Sequence, residues 1–135
     1  MLFRSRADKP GFWQSVTGAK DAIDEPLVET CVREVNEETG IVIGTATVPL
    51  RALRDWQLAN VYEIYPVWRH RYAPGVTHNT EHVFGLTVPA GTAVTLNPRE
   101  HIDFAWLPWC EAADRCFSPS NAEAVLQLPR FVGAP

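Results

Sequence analysis

The sequence has little of what several classes of protein require. Its 135 residues include only three cysteines, Cys31, Cys110 and Cys116, whose spacing suits neither a disulfide scaffold nor a cysteine metal site. We therefore expect reduced thiols and a cytoplasmic location. No apolar run approaches the roughly 18 residues that a membrane span requires, and no signal-peptide pattern is visible. These features predict a protein that does not associate with membranes.

Positive charge is also scarce. The chain has twelve Lys and Arg residues and 16 Asp and Glu residues, which gives a net charge of −4. Because nucleic-acid binding depends on a basic surface, we expect no nucleic-acid partner. Hydrophobic residues make up 46% of the chain and charged residues 21%, as in an ordinary globular protein. The length suffices to bury a core, so we predict one domain over residues 1–135.

Hydrophobic periodicity predicts one central helix among several strands. Pro26 suits the start of this helix and Gly40 the position just past its end. Between them, apolar residues recur every three or four positions: Leu27, Val28, Cys31, Val32 and Val35. Strands are expected at 12–18, 41–48, 58–72, 81–89, 92–96 and 102–107, and short helices at 108–116 and 121–128. This order favours an α/β or α+β layered domain.

Three glutamates crowd the end of the central helix. Glu34, Glu37 and Glu38 fall within an arc of roughly 100° beside the apolar face. The helix dipole repels carboxylates at this end, so we expect a cation to offset them. Clustered carboxylates suit Mg²⁺ that also binds substrate phosphates. The alternative is a solvated helix face on which Arg33 pairs with Glu37 four residues later.

The segment GAKDAIDEPLVETCVREVNEETGI resembles the Nudix box, G-x5-E-x7-R-E-U-x-E-E-x-G-U, where U is a bulky aliphatic residue. Eight positions match with the right spacing: Glu25, Arg33, Glu34, Val35, Glu37, Glu38, Gly40 and Ile41. The first glycine of the pattern falls on Ala19 instead. We expect Gly18 to take its place, with one additional residue in the loop before the helix.

The resemblance implies a fold, an activity and a set of site residues. The fold is an α/β/α sandwich around a mixed β-sheet, and the activity is Mg²⁺-dependent hydrolysis of a pyrophosphate bond, with Mn²⁺ as a substitute. The metal ligands are Glu34, Glu37 and Glu38. Arg33 orients these glutamates by ion pairing, and Glu25 supports the start of the helix.

A narrower resemblance covers most of the chain. The segments FWQSVTG, WRHRYAPGVTHNTEHVF and EHIDFAWLP are similar to those of Nudix enzymes of folate biosynthesis, which remove pyrophosphate from dihydroneopterin triphosphate. This resemblance implies that Glu100 completes the metal site. The catalytic base stays open between Glu37 and Glu100. The implied substrate contacts are Arg6, Thr17, Tyr62, Glu63, Ile64, Tyr65 and Ser118.

Other interpretations remain open for the substrate and the front of the chain. The small-molecule substrate is a pterin triphosphate or, alternatively, a nucleoside triphosphate. A catalytically inactive Nudix-fold binding module is the third hypothesis. Related enzymes begin with a further strand, so we expect an N-terminally truncated domain that lacks this first strand. Because a missing strand exposes a sheet edge, self-association is a further expectation.

Overall fold

A computed structural model describes residues 2–132 of the chain, with side chains from Ser5 onward. Two short 3₁₀ turns, Leu50–Ala52 and Pro66–Arg71, flank the third strand. The strands are β1 (Leu2–Arg6), β2 (Trp13–Gln14), β3 (Leu53–Glu63), β4 (His78–Leu86) and β5 (His101–Trp106). The helices are α1 (Leu27–Thr39), α2 (Trp109–Arg115), α3 (Pro119–Leu126) and α4 (Leu128–Phe131). Strands with interspersed helices confirm the predicted α/β class.

The described strands form two antiparallel sheets. One has the order β2-β1-β5, and the other pairs β3 with β4. The parallel pairing expected of a mixed sheet appears, within residues 2–132, as one isolated bridge between Trp13 and Cys116. The register between β1 and β5 shifts after Ser5, so that Arg6 lies opposite His101. This pairing brings the first hairpin to the start of β5.

Helix α1 has the predicted extent. Gly40 adopts the left-handed conformation with φ 73°, and its N–H donates to the Asn36 carbonyl at 2.8 Å, which ends the helix as expected. Pro26 lies one position outside the helix, at its N-cap, and not in the first turn. Val32 and Val35 pack on a cluster formed by Ile41, Ile43 and Val48. The apolar stripe therefore fixes which face of α1 is buried.

Two predicted strands are wrong. Residues 41–48 form turns in which the Gly44 N–H donates to the Val48 carbonyl at 2.8 Å. Ile41 and Ile43 are buried, so their alternation reflects a packed turn and not a strand. Residues 92–96 also contain no strand; the Thr95 N–H donates to the Thr39 carbonyl and ties this segment to the end of α1. Burial against α1 overrode the β-propensity of both segments.

Other strand and helix boundaries also differ from the prediction. The strand expected at 58–72 is β3, which starts earlier, at Leu53, and ends at Glu63, before Pro66 opens the 3₁₀ turn. The strand expected at 12–18 is limited to Trp13–Gln14. The helix expected at 121–128 is α3, which runs from Pro119 to Leu126, and Pro129 lies in the first turn of the separate helix α4.

A second hydrophobic cluster lies under α2 and α3. Ala112, Ala113 and Val125 form its buried centre, and Trp13 packs against it. The three cysteines are free thiols, as expected. Burial raises the pKa of the Cys116 thiol to about 11. In the stretch from residue 2 to residue 132, the structure has no helix of the length and hydrophobicity needed to cross a membrane.

Candidate functional site

Arg33 lies at the centre of the acidic helix. One of its terminal nitrogens contacts Glu34 Oε1 at 2.9 Å and Glu37 Oε2 at 3.6 Å, and the other contacts Glu25 Oε1 at 2.9 Å. Its Nε lies 3.1 Å from Asp21 Oδ2. The guanidinium therefore offsets the charge of two of the three glutamates at this end of the helix, Glu34 and Glu37. Two residues of the helix, Glu34 and Glu37, and two residues before it, Asp21 and Glu25, are thus held by one side chain.

Glu25 connects this ion-pair group to the start of α1. Its Oε1 accepts hydrogen bonds from the Thr30 hydroxyl at 2.6 Å and from the Asp21 N–H at 3.1 Å. The hydrogen bonds from Arg33, followed by that from Thr30, lower the pKa of Glu25 to about 2. In turn, Glu25 and Glu34 raise the pKa of the Arg33 guanidinium. These contacts agree with the expected support of the helix start.

Gly18 occupies a position where no side chain fits. A Cβ placed on Gly18 would lie 2.2 Å from both Cγ and Cδ of Glu34. The loop backbone therefore packs directly on the Glu34 side chain. The carbonyl of Ala19 accepts a hydrogen bond from Arg33 at 2.9 Å. Gly18, and not Ala19, thus makes the close approach to the helix, as the prediction of one additional loop residue requires.

A group of possible metal ligands assembles from distant parts of the chain. One ligand atom each from Glu38, Glu100 and His101 lies within 4.8 Å of the others. Glu38 comes from the last turn of α1, and His101 opens β5. Glu38 is 6% exposed and His101 4%, whereas Glu100 faces solvent. We call these three residues the ligand triad.

The chemistry of the ligand triad suits a divalent cation. Two carboxylates and an imidazole are common ligands of divalent metals, and carboxylate oxygens are those that Mg²⁺ prefers. The predicted ligands Glu38 and Glu100 are brought together here. The predicted ligands Glu34 and Glu37 instead contact Arg33 and lie outside the one such group found in the described chain.

His101 is the residue that the sequence interpretation missed. Its Nε2 lies 3.1 Å from Nε2 of Gln14 on β2, so the triad is also linked to the first sheet. The available signal was its position directly after Glu100. Neighbouring side chains of an extended segment usually point to opposite faces, so the sequence alone offered no reason to expect Glu100 and His101 to approach the same group. The hydrogen bonds from the N–H groups of both residues to the Asn97 carbonyl form a tight turn there, each at 3.0 Å.

Three predicted substrate contacts lie near the first hairpin and α3. Arg6 donates two hydrogen bonds to the Asp8 carboxylate, at 2.8 and 2.6 Å, and thereby lowers the pKa of Asp8. Thr17 is exposed, and its hydroxyl lies 3.5 Å from Nε2 of Gln14. Ser118 precedes α3 without capping it, and its hydroxyl contacts that of Ser120 at 3.0 Å. Arg6 and Thr17 thus approach the elements that carry the triad.

The other four predicted contacts follow one another at the end of β3. Tyr62 accepts a hydrogen bond from the Asn79 amide at 2.9 Å, and Glu63 accepts one from an Arg69 terminal nitrogen at 2.8 Å. Ile64 is only 2% exposed, so its side chain belongs to the core, whereas Tyr65 is 62% exposed. The described contacts of these residues stay within the β3–β4 hairpin and the adjoining turn. Their role in substrate binding stays a prediction.

Comparison with known proteins decides the family. A NUDIX domain model matches residues 1–128. The chain belongs to the Nudix family. This Nudix chain is 38% identical over 125 residues to a dihydroneopterin triphosphate diphosphatase of Haemophilus influenzae, a match that covers 93% of the chain and 75% of that protein. It is 39% identical over 128 residues to the Escherichia coli protein of the same name, covering 95% and 81%.

A solved structure shows the same fold. The E. coli dihydroneopterin triphosphate pyrophosphohydrolase superposes with a TM-score of 0.78 at 37% sequence identity, which covers 97% of the Nudix chain and 86% of that protein. The predicted Nudix fold is confirmed by this match and by the family model. Nudix hydrolases generally use divalent metals, and the ligand triad is a group that can bind one.

Proposed function

We propose that this Nudix protein is a pyrophosphohydrolase that converts dihydroneopterin triphosphate to the monophosphate and pyrophosphate. Water is added across the bond between the α and β phosphates. One observation carries the proposal: the ligand triad assembles in a chain that is 38 to 39% identical, over nearly all its length, to enzymes named for this substrate. The free thiols fit the cytoplasmic location that we propose.

The proposed metal is Mg²⁺, with Mn²⁺ as a substitute. Glu38 and Glu100 would hold it through carboxylate oxygens, and Glu34 and Glu37 are proposed as additional ligands from the same helix. A divalent cation at such a site supplies neutralisation of charge on phosphate oxygens and a lower pKa for a coordinated water. The proposed base for the attacking water is Glu37 or Glu100, both of which are exposed to solvent.

The protein's own residues bind and orient the substrate in this proposal. Arg33 fixes the carboxylates of Glu34 and Glu37, which keeps the acidic group in one arrangement before the substrate arrives. Arg6 already donates through two nitrogens to the two oxygens of Asp8. The same fork geometry matches two oxygens of a phosphate, so exchange of Asp8 for substrate phosphate is the proposed role of Arg6.

The remaining predicted contacts recognise the flat heterocycle and the sugar-like chain. The exposed rings of Tyr62 and Tyr65 offer faces for stacking, and the Glu63 carboxylate can accept the ring N–H and amino groups of a pterin. Hydroxyls of Thr17 and Ser118 can donate to phosphate or hydroxyl oxygens. Ile64 can contribute only through its backbone in the present arrangement, because its side chain is buried.

The decisive experiment compares substrates under identical conditions. Pyrophosphate release from dihydroneopterin triphosphate and from the four deoxynucleoside triphosphates is measured with added Mg²⁺, and phosphate is detected after coupling to inorganic pyrophosphatase. We expect the highest kcat/KM for the pterin substrate. A higher kcat/KM for a deoxynucleoside triphosphate would show that the pterin is not the preferred substrate, although the protein would still be a pyrophosphohydrolase. Thermal stabilisation by substrate and Mg²⁺ without any turnover would instead indicate a binding module.

A further inference from the structure

The end of β3 carries its side chains on two faces with different surroundings. Tyr62 extends from the same face as half-buried Asn60, and the buried Ile64 continues this row. Glu63 extends from the opposite face, where it is exposed and pairs with Arg69 at 2.8 Å. A ligand that stacks on the Tyr62 ring therefore approaches from the side of Asn60 and not from the side of Glu63.

The neighbouring strand places a second carboxylate on the side of Tyr62. In the antiparallel register, Asn79 lies opposite Tyr62 and Glu81 lies opposite Asn60. Opposite residues share a face, and the hydrogen bond from the Asn79 amide to the Tyr62 hydroxyl at 2.9 Å agrees with this. We call the face with these four residues the inner face. Tyr62 and Glu81 are diagonal neighbours on it, about 7–8 Å apart, a separation that a two-ring heterocycle can span.

The surroundings of Glu81 leave its charge without a cation. Its side chain is half-buried, and burial raises its pKa, an effect that Ser120 and Asn60 offset only in part by hydrogen bonding. Both of these neighbours are neutral. Among the side chains that the structure describes, none forms an ion pair with Glu81. A half-buried carboxylate of this kind is stabilised by any further N–H donors that a ligand brings.

The start of α3 borders the inner face beside Glu81. Ser120, in the first turn of α3, is the helix residue that interacts with the Glu81 carboxylate. The Ser120 hydroxyl also lies 3.0 Å from that of Ser118, one of the predicted substrate contacts. Glu81 therefore links two predicted contacts from different elements, Tyr62 on the sheet and Ser118 before the helix.

We propose that Glu81 is a specificity-determining residue: its carboxylate accepts hydrogen bonds from the ring N–H and the adjacent 2-amino group of a pterin that stacks on Tyr62. The two oxygens of a carboxylate match two parallel N–H donors, as they do with a guanidinium. The proposal rests on the proposed function and adds Glu81 to the substrate contacts. It holds whether or not Glu63 also contacts the ring.

Glu81→Gln tests the pairing, because it keeps the shape of the side chain and exchanges one acceptor for a donor. The variant is compared on two substrates, dihydroneopterin triphosphate and its analogue with oxygen in place of the 2-amino group. The glutamine amide matches the ring N–H and the neighbouring carbonyl of this 2-oxo analogue, whereas the glutamate carboxylate matches the 2-amino substrate. Steady-state kinetics with Mg²⁺ gives kcat/KM for each, and thermal unfolding checks the fold.

We expect the natural protein to prefer the 2-amino substrate. Glu81→Gln should reduce this preference in kcat/KM by about 10- to 100-fold, chiefly through KM, since a hydrogen bond to a charged group is exchanged. Glu123→Gln, an exposed change of the same kind on α3, is the control and should keep the preference within about 2-fold. An equal decrease for both substrates in Glu81→Gln would show a structural role only and would overturn the inference.

Tyr62→Leu provides a second test that leaves Glu81 in place. Stacking does not depend on the 2-substituent, so KM should rise alike for both substrates, by about 3- to 10-fold. An unchanged KM would show that the ring does not lie on the inner face and would overturn the inference. A natural protein that hydrolyses both substrates equally well would overturn the role of Glu81 alone, whereas hydrolysis of neither would overturn the proposed function with it.

Discussion

The two regions that the sequence marks as functional are built in opposite ways. The acidic helix end, defined by Arg33, Glu34, Glu37 and Glu38, is tied together by ion pairs and by the close approach of Gly18. The aromatic arm, residues 62–72, leaves Tyr65 and Val67 more than 60% exposed. One region is held in a single arrangement before any ligand binds, and the other presents large exposed side chains.

This difference indicates how the proposed reaction is divided between the two regions. Electrostatic stabilisation works best when charges are fixed in advance, which the acidic helix end achieves. Binding of a heterocycle can instead use side chains that rearrange around it, and the aromatic arm provides these. We therefore expect substitutions in the first region to lower kcat strongly and those in the second to raise KM modestly.

The largest effect is expected from Glu38→Gln. The substitution keeps the shape but removes the negative charge of the buried triad carboxylate, so kcat should decrease by about 10²- to 10³-fold while thermal unfolding changes little. Glu29→Gln, on the exposed face of the same helix, is the matched control and should keep its activity within about 2-fold. Full Mg²⁺-dependent turnover by Glu38→Gln would remove Glu38 from the metal site.

The next largest effect is expected from a substitution that disturbs packing at the acidic helix end, compared with one that disturbs packing elsewhere. Gly18→Ala places a methyl group against Glu34, and Gly85→Ala places one 2.4 Å from Nε1 of Trp56, away from the ligand triad. Both should destabilise the fold by about 1–3 kcal/mol through overpacking. Only Gly18→Ala should also lower kcat, by roughly 10-fold or more, because it displaces a proposed metal ligand.

Urea unfolding and steady-state kinetics on both glycine variants check this contrast. An equal loss of kcat in the two would show that general destabilisation, and not displacement of Glu34, explains the result.

A smaller effect should appear in the pH dependence of stability. The hydrogen bonds from Arg33 lower the pKa of Glu25 from its ordinary value of 4.5 to about 2, so its contribution to stability is fully present above pH 4.5 and is lost as the pH falls toward 2. We expect the free energy of unfolding of the natural protein to exceed that of Glu25→Gln at pH 6, and the difference to shrink at pH 3. A difference that stays constant between these pH values would contradict the assignment.

The smallest effect is expected in the aromatic arm. Glu63→Gln breaks an exposed ion pair with Arg69, which should change stability by less than about 1 kcal/mol. If Glu63 accepts hydrogen bonds from the pterin, KM for dihydroneopterin triphosphate should rise by about 3- to 10-fold with kcat nearly unchanged. An unaltered KM would remove Glu63 from the substrate site and leave the acidic helix end unaffected.

Local patterns predicted the parts of the fold that depend on neighbours in sequence. The extent of α1 followed from the apolar spacing and from Gly40, and the ion pairs of Arg33 followed from positions on one helix and the loop before it. The strands expected at 41–48 and 92–96 failed because burial under α1, and not a sheet, keeps those apolar residues out of water. Propensity does not distinguish these two environments.

The sequence by itself determined which family this protein belongs to and which helix carries the carboxylates, because both depend on spacing along one segment. Only the tertiary structure decided that Glu38 meets Glu100 and His101, because Glu38 lies more than sixty residues before the other two in the chain. It also showed what Gly18, expected from the sequence in this loop, packs against: its backbone lies on the Glu34 side chain, a contact that depends on the path of the loop.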